Sequence, residues 1–272
     1  MKFSVLMSVY KNDNPQFLKL ALESIFDNQV LKPDEIVIVF DGPLTAELES
    51  VLFSFRIGKE DIVKFYPQPI NQGLGEALRI GSEKCIGEYI LRMDSDDISN
   101  PERFLKQIEY IKKHPEIDVL GTDIAEFQHS LDEKKRVRTC PQYHEGIIKM
   151  AKVRNPMNHV TTCIKRSSLI NSGGYISLLY LEDYYLWLRM IVSGCKFANI
   201  LEPLVFVRVG NGFDLKRSSR TRVGGWRVLQ NFMLENQIIN RTQAFLNMFY
   251  ISAFVYSPIC LKKWLYNLFL RK

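Results

Sequence analysis

Three aspartates within four positions are the residues of this sequence best suited to chemistry. Asp94, Asp96 and Asp97 directly follow the apolar run Tyr89–Met93. Carboxylates this close repel one another and raise each other's pKa, and a divalent cation removes that cost. Oxygen ligands suit Mg²⁺ or Mn²⁺, which often keep coordination positions open for substrate phosphates. The D-x-D spacing therefore predicts a metal–diphosphate site, while the same residues also fit a helix N-cap, where Asp needs no function.

The elements that would position these aspartates are visible in the first hundred residues. Short apolar runs rich in β-branched residues alternate there with segments of helical spacing, which predicts a parallel sheet with helices on both faces. Ligands of such sheets bind beyond the carboxyl ends of the strands, and every run here ends in polar residues. The runs are Phe3–Val9, Glu35–Phe40, 62–66 and Tyr89–Met93.

The second part of the chain has a mixed pattern. We expect a helix after Pro101, and we expect residues 127–145, which are polar and mixed in charge, to form a loop or connection. Three shorter elements are also predicted, namely strands at 119–122 and 204–209 and an apolar helix at 186–192.

Composition and charge narrow the class of protein. The chain has 272 residues, 46% hydrophobic and 24% charged, which excludes a disordered or collagen-like protein. Its net charge of +6 is uneven, because residues 208–272 contain eleven basic and two acidic residues, a net of +9. A basic C-terminal part favours a polyanionic partner, such as a nucleic acid, a membrane surface or a phosphorylated substrate. Five widely spaced cysteines without a C-x-x-C pair argue against disulfides and structural zinc, and favour a reducing compartment.

Two nucleotide-dependent classes lack their motifs in this chain. No glycine lies between Ser8 and Pro15, so the G-x-G-x-x-G of a nicotinamide-dependent dehydrogenase is missing after the first strand. The chain also has no G-x-x-x-x-G-K-[ST] phosphate loop. These absences disfavour a dehydrogenase and a P-loop nucleotidase.

Seven segments carry a family resemblance. They are 4–10 (SVLMSVY), 35–42 (EIVIVFDG), 71–74 (NQGL), 87–97 (GEYILRMDSDD), 155–159 (NPMNH), 173–175 (GGY) and 182–187 (EDYYLW). In this order they resemble the family 2 glycosyltransferases of bacterial surface-polysaccharide synthesis, and are similar to the amylovoran and O-antigen biosynthesis transferases. The combination is specific although each segment alone is weak.

The resemblance implies the GT-A fold, an α/β architecture with a mostly parallel sheet flanked by helices. A glycosyltransferase domain would span residues 1–226, with a Rossmann-like nucleotide-sugar half at 1–100 and an acceptor half at 101–226. Residues 227–272 would form a basic, amphipathic helical tail. The residues that would bind the donor nucleotide are Ser8, Tyr10, Asp41, Asn71, Asp94 and Arg222.

The resemblance further implies an inverting, metal-dependent transfer of a hexose or N-acetylhexosamine from a UDP-sugar. Mn²⁺ or Mg²⁺ would bind Asp96 and Asp94, and Asp183, with Glu182, would supply the catalytic base. The acceptor would be a saccharide linked to undecaprenyl diphosphate, with no nucleic acid as a partner. The residues implied on the acceptor side are His159 and Trp187.

Purely structural explanations stay open for several of these residues. Asp41 fits an Asp-Gly-Pro turn, Glu182 and Asp183 fit the acidic first turn of a helix, and His159 fits an ordinary loop. The pair Leu78-Arg79 departs from the family pattern and leaves the nucleotide contact of its helix open. A sugar-phosphate nucleotidyltransferase and a non-catalytic UDP-sugar-binding module are the alternative functions.

The tail contains a mostly apolar stretch of about the length that spans a bilayer, between Arg241 and Lys262. Polar residues and Pro258 interrupt it, and basic pairs flank it, which favours an interfacial helix on anionic lipid over packing on the core or a true span. We therefore expect a cytoplasmic protein held peripherally on the cytoplasmic face of the inner membrane.

Overall fold

The computed structural model describes residues 1–128, 130–133, 135–178, 180–210 and 222–257, with the side chain of Arg222 outside this set. The N-terminal half alternates strands and helices as the sequence predicts. Its elements are β1 (Phe3–Val9), α1 (Pro15–Ile25), β2 (Glu35–Phe40), α2 (Ala46–Arg56), β3 (Val63–Pro67), α3 (Leu74–Lys84) and β4 (Tyr89–Met93).

The second part is mixed in character and ends in two helices. Its strands are β5 (Ile98–Ser99), β6 (Val119–Phe127), β7 (Arg136–Arg138), β8 (Cys163–Lys165) and β9 (Phe197–Arg208). Its helices are α4 (Arg103–Lys113), α5 (His144–Ala151), α6 (Arg166–Asn171), α7 (Glu182–Val192), α8 (Arg222–Glu235) and α9 (Arg241–Tyr256), with a short 3-10 helix at His159–Thr161.

The strands of the described residues form one sheet in the order β3-β2-β1-β4-β8-β6-β9-β5, with β7 paired to β6. The four strands β3, β2, β1 and β4 are parallel, so their carboxyl ends share one edge. The short β8 joins this set to the second part by antiparallel pairing with β4 and β6. This architecture confirms the mostly parallel sheet flanked by helices that the sequence predicts.

Apolar side chains cover both faces of the sheet. On one face Val5 and Met7 of β1 pack in a cluster with α1, α2 and α4, and on the other Leu6 packs in a cluster with α3 and α7. Each buried side chain of this size contributes about 1.5–3 kcal/mol to the free energy of unfolding. The helix α3 approaches especially closely, because a Cβ on Gly81 would lie 2.3 Å from Leu6 Cδ1.

Several boundaries differ from those that the sequence predicts. The strands β6 and β9 are longer than expected because they pair with each other in parallel through a register shift near Asp123. The segment expected as a loop, 127–145, contains β7 and the start of α5. The boundary expected at residue 226 falls inside α8, so the division into domain and tail does not coincide with an element end.

The C-terminal tail is helical as expected, in α8 and α9. The helix α9 is apolar around most of its circumference, so the expected division into a polar and an apolar side is not how this helix is built. Among the described residues, no helix is both long and apolar enough to cross a membrane. Residues 258–272, which the tail prediction also covers, lie outside the described part of the chain.

Candidate active site

The acidic loop, residues 94–97, follows β4 at the carboxyl edge of the parallel strands. Asp96 is exposed, Asp94 is half-buried and Asp97 is buried. From below the loop, the buried Arg92 guanidinium contacts the Asp94 carboxylate. A guanidinium stays charged in proteins, so this contact fixes one carboxylate of the loop in place.

Crowding within the acidic loop raises the pKa of two of its carboxyls. Although Asp96 as a residue is open to solvent, protein atoms around its carboxyl displace water, and this effect, followed by the charges of Asp94 and Asp13, raises its pKa to about 6. Burial and the neighbouring carboxylates raise the pKa of Asp97 well above its ordinary value, although Asp97 accepts a hydrogen bond of 2.8 Å from the Arg208 N–H. A divalent cation would relieve this repulsion.

The donor set fits Mg²⁺ or Mn²⁺ held jointly with a substrate. These ions are commonly bound by one or two carboxylates together with the phosphates of a substrate. Over the part of the chain that the structure describes, no group of three or more His, Cys, Asp or Glu side chains could hold a metal ion alone. Asp94 and Asp96 therefore suit a cation that arrives with a diphosphate, and their role as metal ligands stays a prediction.

The loop after β1 is tied to the acidic loop through Asp13. Its Oδ2 accepts hydrogen bonds from the Ser95 hydroxyl at 2.7 Å and from the Tyr10 N–H at 3.1 Å. Ser8 and Tyr10, the nucleotide residues expected on this loop, are half-buried at the end of β1, beside β4. Sequence reasoning missed Asp13 and Ser95, and their only signal was a polar turn after an apolar strand.

The carboxylate of Asp41, at the end of β2, holds the loop that precedes α3. Its Oδ1 accepts the Gln72 N–H at 2.7 Å, and its Oδ2 accepts the Asn71 Nδ2–H and the Gly73 N–H, both at 3.0 Å. Asp41 is buried whereas Asn71 is exposed. The structure thus brings Asp41 and Asn71 together, and the Asp41 carboxylate holds the loop 71–73 in place. We call this set of hydrogen bonds the Asp41 clamp. The expected contact of Asp41 with the donor nucleotide stays a prediction.

The acidic pair of the E-D-Y-Y motif opens α7. Asp183 is half-buried, and its carboxylate accepts hydrogen bonds from Asn155 Nδ2 at 2.5 Å and from the Tyr184 N–H at 2.7 Å. Glu182 is buried beside it. Asn155 belongs to the N-P-M-N-H motif, and no role is predicted for this residue from the sequence. The amide side chain therefore orients the residue expected as the catalytic base.

A buried cluster connects the acidic loop to α7. His159 Nε2 lies 3.0 Å from the Tyr175 hydroxyl oxygen. The charge of Arg92 acts on both rings, and the charge of Asp183 acts on Tyr175. Burial, followed by Arg92, holds the pKa of His159 well below its ordinary value, so this imidazole is neutral at pH 7. Arg92, which contacts Asp94, and Asp183 thus both act electrostatically on the Tyr175 side chain.

The starts of α3 and α7 lie close together beside the carboxyl ends of the parallel strands. We call this region the cleft. A Cβ on Gly75, in the first turn of α3, would lie 2.9 Å from Ser177 Cα and 3.4 Å from Glu182 Cβ. Glycine is therefore required where α3 approaches the segment that enters α7. Helix N-termini attract anions, and here the carboxylates of Glu182 and Asp183 occupy the first turn of α7. Arg79, where the sequence departs from the family pattern, forms a salt bridge with Glu76 on the same helix and is not directed at the cleft.

Of two further residues expected in the site, Trp187 is buried away from it and the side chain of Arg222 is not among the described ones. Trp187 is fully buried, with its indole against His159 and Phe197, so direct contact with an acceptor is corrected to a packing role beneath His159. The position of Trp187 one turn into α7 directs it at the sheet instead of the cleft. The side chain of Arg222 lies outside the described residues, and its expected nucleotide contact stays a prediction.

The chain is similar to three bacterial proteins over most of its length. It is 40% identical to an uncharacterized glycosyltransferase of Haemophilus influenzae over 100% of both chains. It is 38% identical to the amylovoran biosynthesis glycosyltransferase AmsE of Erwinia amylovora, over 84% of this chain and 82% of AmsE. It is 37% identical to the UDP-Gal:alpha-D-GlcNAc-diphosphoundecaprenol beta-1,3-galactosyltransferase of Escherichia coli, over 76% of this chain and 74% of that enzyme.

A solved structure with low sequence identity to this chain also supports the fold. TarS residues 1–349 of S. aureus, in complex with UDP-GlcNAc, superimposes with a TM-score of 0.68 over 94% of this chain and 74% of that chain, at 17% identity. The expected GT-A architecture is thereby confirmed. The family model described as "Glycosyl transferase family 2" matches residues 4–174, which include β1 to α6 and the acidic loop. The chain therefore belongs to glycosyl transferase family 2 and is a glycosyltransferase.

Proposed function

We propose that this enzyme transfers a hexose or N-acetylhexosamine from a UDP-sugar, with inversion, to a hydroxyl of a saccharide linked to undecaprenyl diphosphate. The product would enter O-antigen, capsule or exopolysaccharide synthesis. The named relatives support this proposal, because one is an amylovoran biosynthesis transferase and another takes UDP-Gal and a diphosphoundecaprenol-linked sugar. Family membership favours sugar transfer over the alternative of nucleotidyl transfer.

The observation that carries the proposal is the presence of two acidic groups of different character whose surroundings both influence Tyr175. The acidic loop suits a cation and a diphosphate, whereas Asp183 is a single oriented carboxylate. Tyr175 feels the charges of both Arg92, which contacts Asp94, and Asp183. Transfer from a diphosphate needs both functions side by side, one for the leaving group and one for the incoming hydroxyl.

On the donor side, the strand ends hold the nucleotide. Tyr10 covers the uracil, Ser8 lies beneath it, and the Asp41 clamp presents the exposed Asn71 to the nucleotide. Asp94 and Asp96 would hold Mn²⁺ or Mg²⁺, which supplies positive charge against the diphosphate as its negative charge grows.

On the acceptor side, Asp183 removes the proton from the acceptor hydroxyl as its oxygen attacks the anomeric carbon. The new C–O bond forms on the face opposite the departing UDP, so the configuration inverts, and UDP leaves with the electron pair of the broken bond. A carboxylate base of this kind contributes about 10²–10⁴-fold to the rate. Asn155 holds Asp183 in the orientation that the transfer requires.

Purified enzyme incubated with a panel of UDP-sugars and a synthetic GlcNAc-diphospho-lipid, with Mn²⁺, Mg²⁺ or EDTA, tests the proposal. We expect one donor to be consumed, with UDP released, a disaccharide of inverted anomeric configuration by NMR, and loss of activity in EDTA. A parallel reaction with UTP and sugar 1-phosphates tests the alternative. Release of diphosphate there, without any disaccharide in the first assay, would contradict sugar transfer.

The lipid-linked acceptor implies a place of action. UDP-sugars and undecaprenyl-diphosphate intermediates meet at the cytoplasmic face of the inner membrane, which the low cysteine content and absence of disulfide pairs among the described cysteines accommodate. We therefore extend the proposal to a cytoplasmic enzyme that works at this face. Fractionation of cells, with enzyme detected in the membrane pellet at low salt and released by high salt, tests this placement.

A further inference from the structure

The helix α9 directs an uncharged aromatic face away from the protein. Positions spaced for one side of a helix carry the most exposed large side chains of the tail. Phe245 is 70% exposed, Phe249 59%, and Tyr250 and Tyr256 are each 64% exposed. We call this surface the outer face of α9. Its residues are Thr242, Phe245, Leu246, Phe249, Tyr250, Ala253 and Tyr256.

The opposite face of α9, which packs on the protein, buries apolar Ala244 and Val255 together with an amide network around Asn247. Asn247 is 3% exposed, and its Nδ2 donates to the Lys152 carbonyl oxygen at 2.8 Å and to Gln230 Oε1 at 2.9 Å. Gln243 Nε2 donates to Asn247 Oδ1 at 2.8 Å. A surface helix in water normally confines its apolar residues to the inward face, whereas α9 also presents aromatic residues outward. The buried amide network therefore fixes α9 with its aromatic residues outward.

The charges around this face select its partner. Arg241 is exposed one turn before Phe245 on the same helix, and residues 208–272 carry a net charge of +9. Two copies meeting through this face would bring two such positive regions together. An anionic lipid surface instead satisfies both features, since Phe and Tyr insert at the headgroup boundary while Lys and Arg meet the lipid phosphates.

We propose that the outer face of α9 lies on an anionic membrane surface. The helices α8 and α9 pack against α7 in one apolar cluster that includes Leu181, Tyr184 and Leu229. The helix α7 begins with the acidic pair of Glu182 and Asp183. Contact with lipid through α9 would therefore hold the start of α7 at a fixed height above the bilayer. This last step rests on the proposed function, whereas the docking surface itself does not.

Flotation of the full-length protein with vesicles tests the docking surface without any substrate. Vesicles of phosphatidylcholine that contain about 30% phosphatidylglycerol are compared with vesicles of pure phosphatidylcholine. The test variant is Phe245→Glu/Phe249→Glu. The matched control is Ile57→Glu/Ile86→Glu, which adds the same charge at two exposed apolar residues, 74% and 76% exposed, on the N-terminal half.

We expect wild type and control to float with the anionic vesicles and the test variant to lose about tenfold or more in partitioning. Thermal unfolding and UDP binding should be the same for all three proteins, because all four substituted side chains are exposed. Equal partitioning of the two variants would overturn the proposal. So would a wild-type dimer that ignores vesicles and that the test variant converts to a monomer. Loss of turnover with vesicle binding intact would count against the proposed function only.

Discussion

The acidic loop and the start of α7 both present aspartates to the same cleft, but the protein prepares them in opposite ways. In the loop, Asp94, Asp96 and Asp97 crowd one another, and crowding and burial raise the pKa of the last two. At α7, Asp183 receives an amide and a backbone donor. A crowded group gains from an added cation, whereas an oriented single carboxylate already suits proton transfer. The comparison assigns different chemistry to residues of the same type.

The largest test of this contrast is Asp183→Asn, which keeps the size and hydrogen-bonding shape of the side chain but removes the base. We expect kcat to fall about 10²–10⁴-fold, while the affinity for UDP-sugar with Mn²⁺ stays within about twofold. Steady-state kinetics and isothermal titration calorimetry measure the two quantities. Asn155→Ala is the companion variant, and we expect about a tenfold loss in kcat because the base survives without its orienting amide. Full turnover by Asp183→Asn would refute the base assignment.

The next test separates two neighbours within the acidic loop. Asp96→Asn removes the exposed carboxylate expected to bind the cation, and we expect kcat/KM to fall about 10²–10³-fold, with metal-dependent donor binding lost. Asp97→Asn is the matched control. Its carboxyl is buried, and an amide oxygen can accept the same hydrogen bond from the Arg208 N–H. We expect less than about a tenfold effect there. Equal losses in both variants would show that the loop acts as a structural unit only.

The two halves of the chain differ in how much of their structure the sequence alone predicts. The strands β1, β2 and β4 were predictable to the residue, because each is a mostly apolar run that is followed by polar residues. The strands β6 and β9 were not, because their partner is distant in sequence and their pairing contains a register shift. Local pattern thus predicts the nucleotide half well, and long-range pairing decides the acceptor half.

The candidate site divides in the same way. Motifs predicted the residues that stand at strand and helix ends, such as Asp41, Asp96 and Asp183. They did not predict the residues that hold those side chains, because Asp13 and Asn155 act through contacts with residues 82 and 28 positions away. Trp187 shows the converse failure, since a motif residue was taken for a contact although α7 buries it against the sheet.

A pH series gives a smaller effect that distinguishes the two regions. Asp96 has a pKa near 6 in the folded protein against an ordinary value of 3.8, so the folded state binds this proton more tightly than the unfolded state. Without metal, this group contributes stability at low pH that is lost as pH rises from about 4 to about 6. A cation must displace the proton, so its affinity should fall up to about tenfold per pH unit below 6.

Thermal unfolding with and without Mn²⁺ and a UDP-sugar, from pH 5 to pH 8, measures this linkage. We expect the gain in Tm on loading to be greatest above pH 6 and to shrink below it. In the Asp96→Asn variant the remaining gain should not change over this range. A gain that is the same at pH 5 and pH 8 in the wild type would contradict the assignment of the raised pKa to a metal ligand.

The smallest effect tests whether the β1 loop and the acidic loop act together. Ser95→Ala removes the hydroxyl that donates to Asp13 at 2.7 Å, and we expect the KM for the UDP-sugar to rise about three- to tenfold with kcat little changed. The control is Ser168→Ala, which removes a similar 2.6 Å hydrogen bond to Asp118 remote from the strand ends that form the cleft. It should lower Tm without changing KM.

A double-mutant cycle with Asp13→Ala makes this last test specific. If the hydrogen bond couples Tyr10 to the acidic loop, the double variant should raise KM by less than the product of the two single effects. The reason is that either substitution alone already breaks the link between the loops. Multiplicative effects would instead mean that Asp13 and Ser95 act on the donor separately, and the two loops would then be neighbours without being a single binding unit.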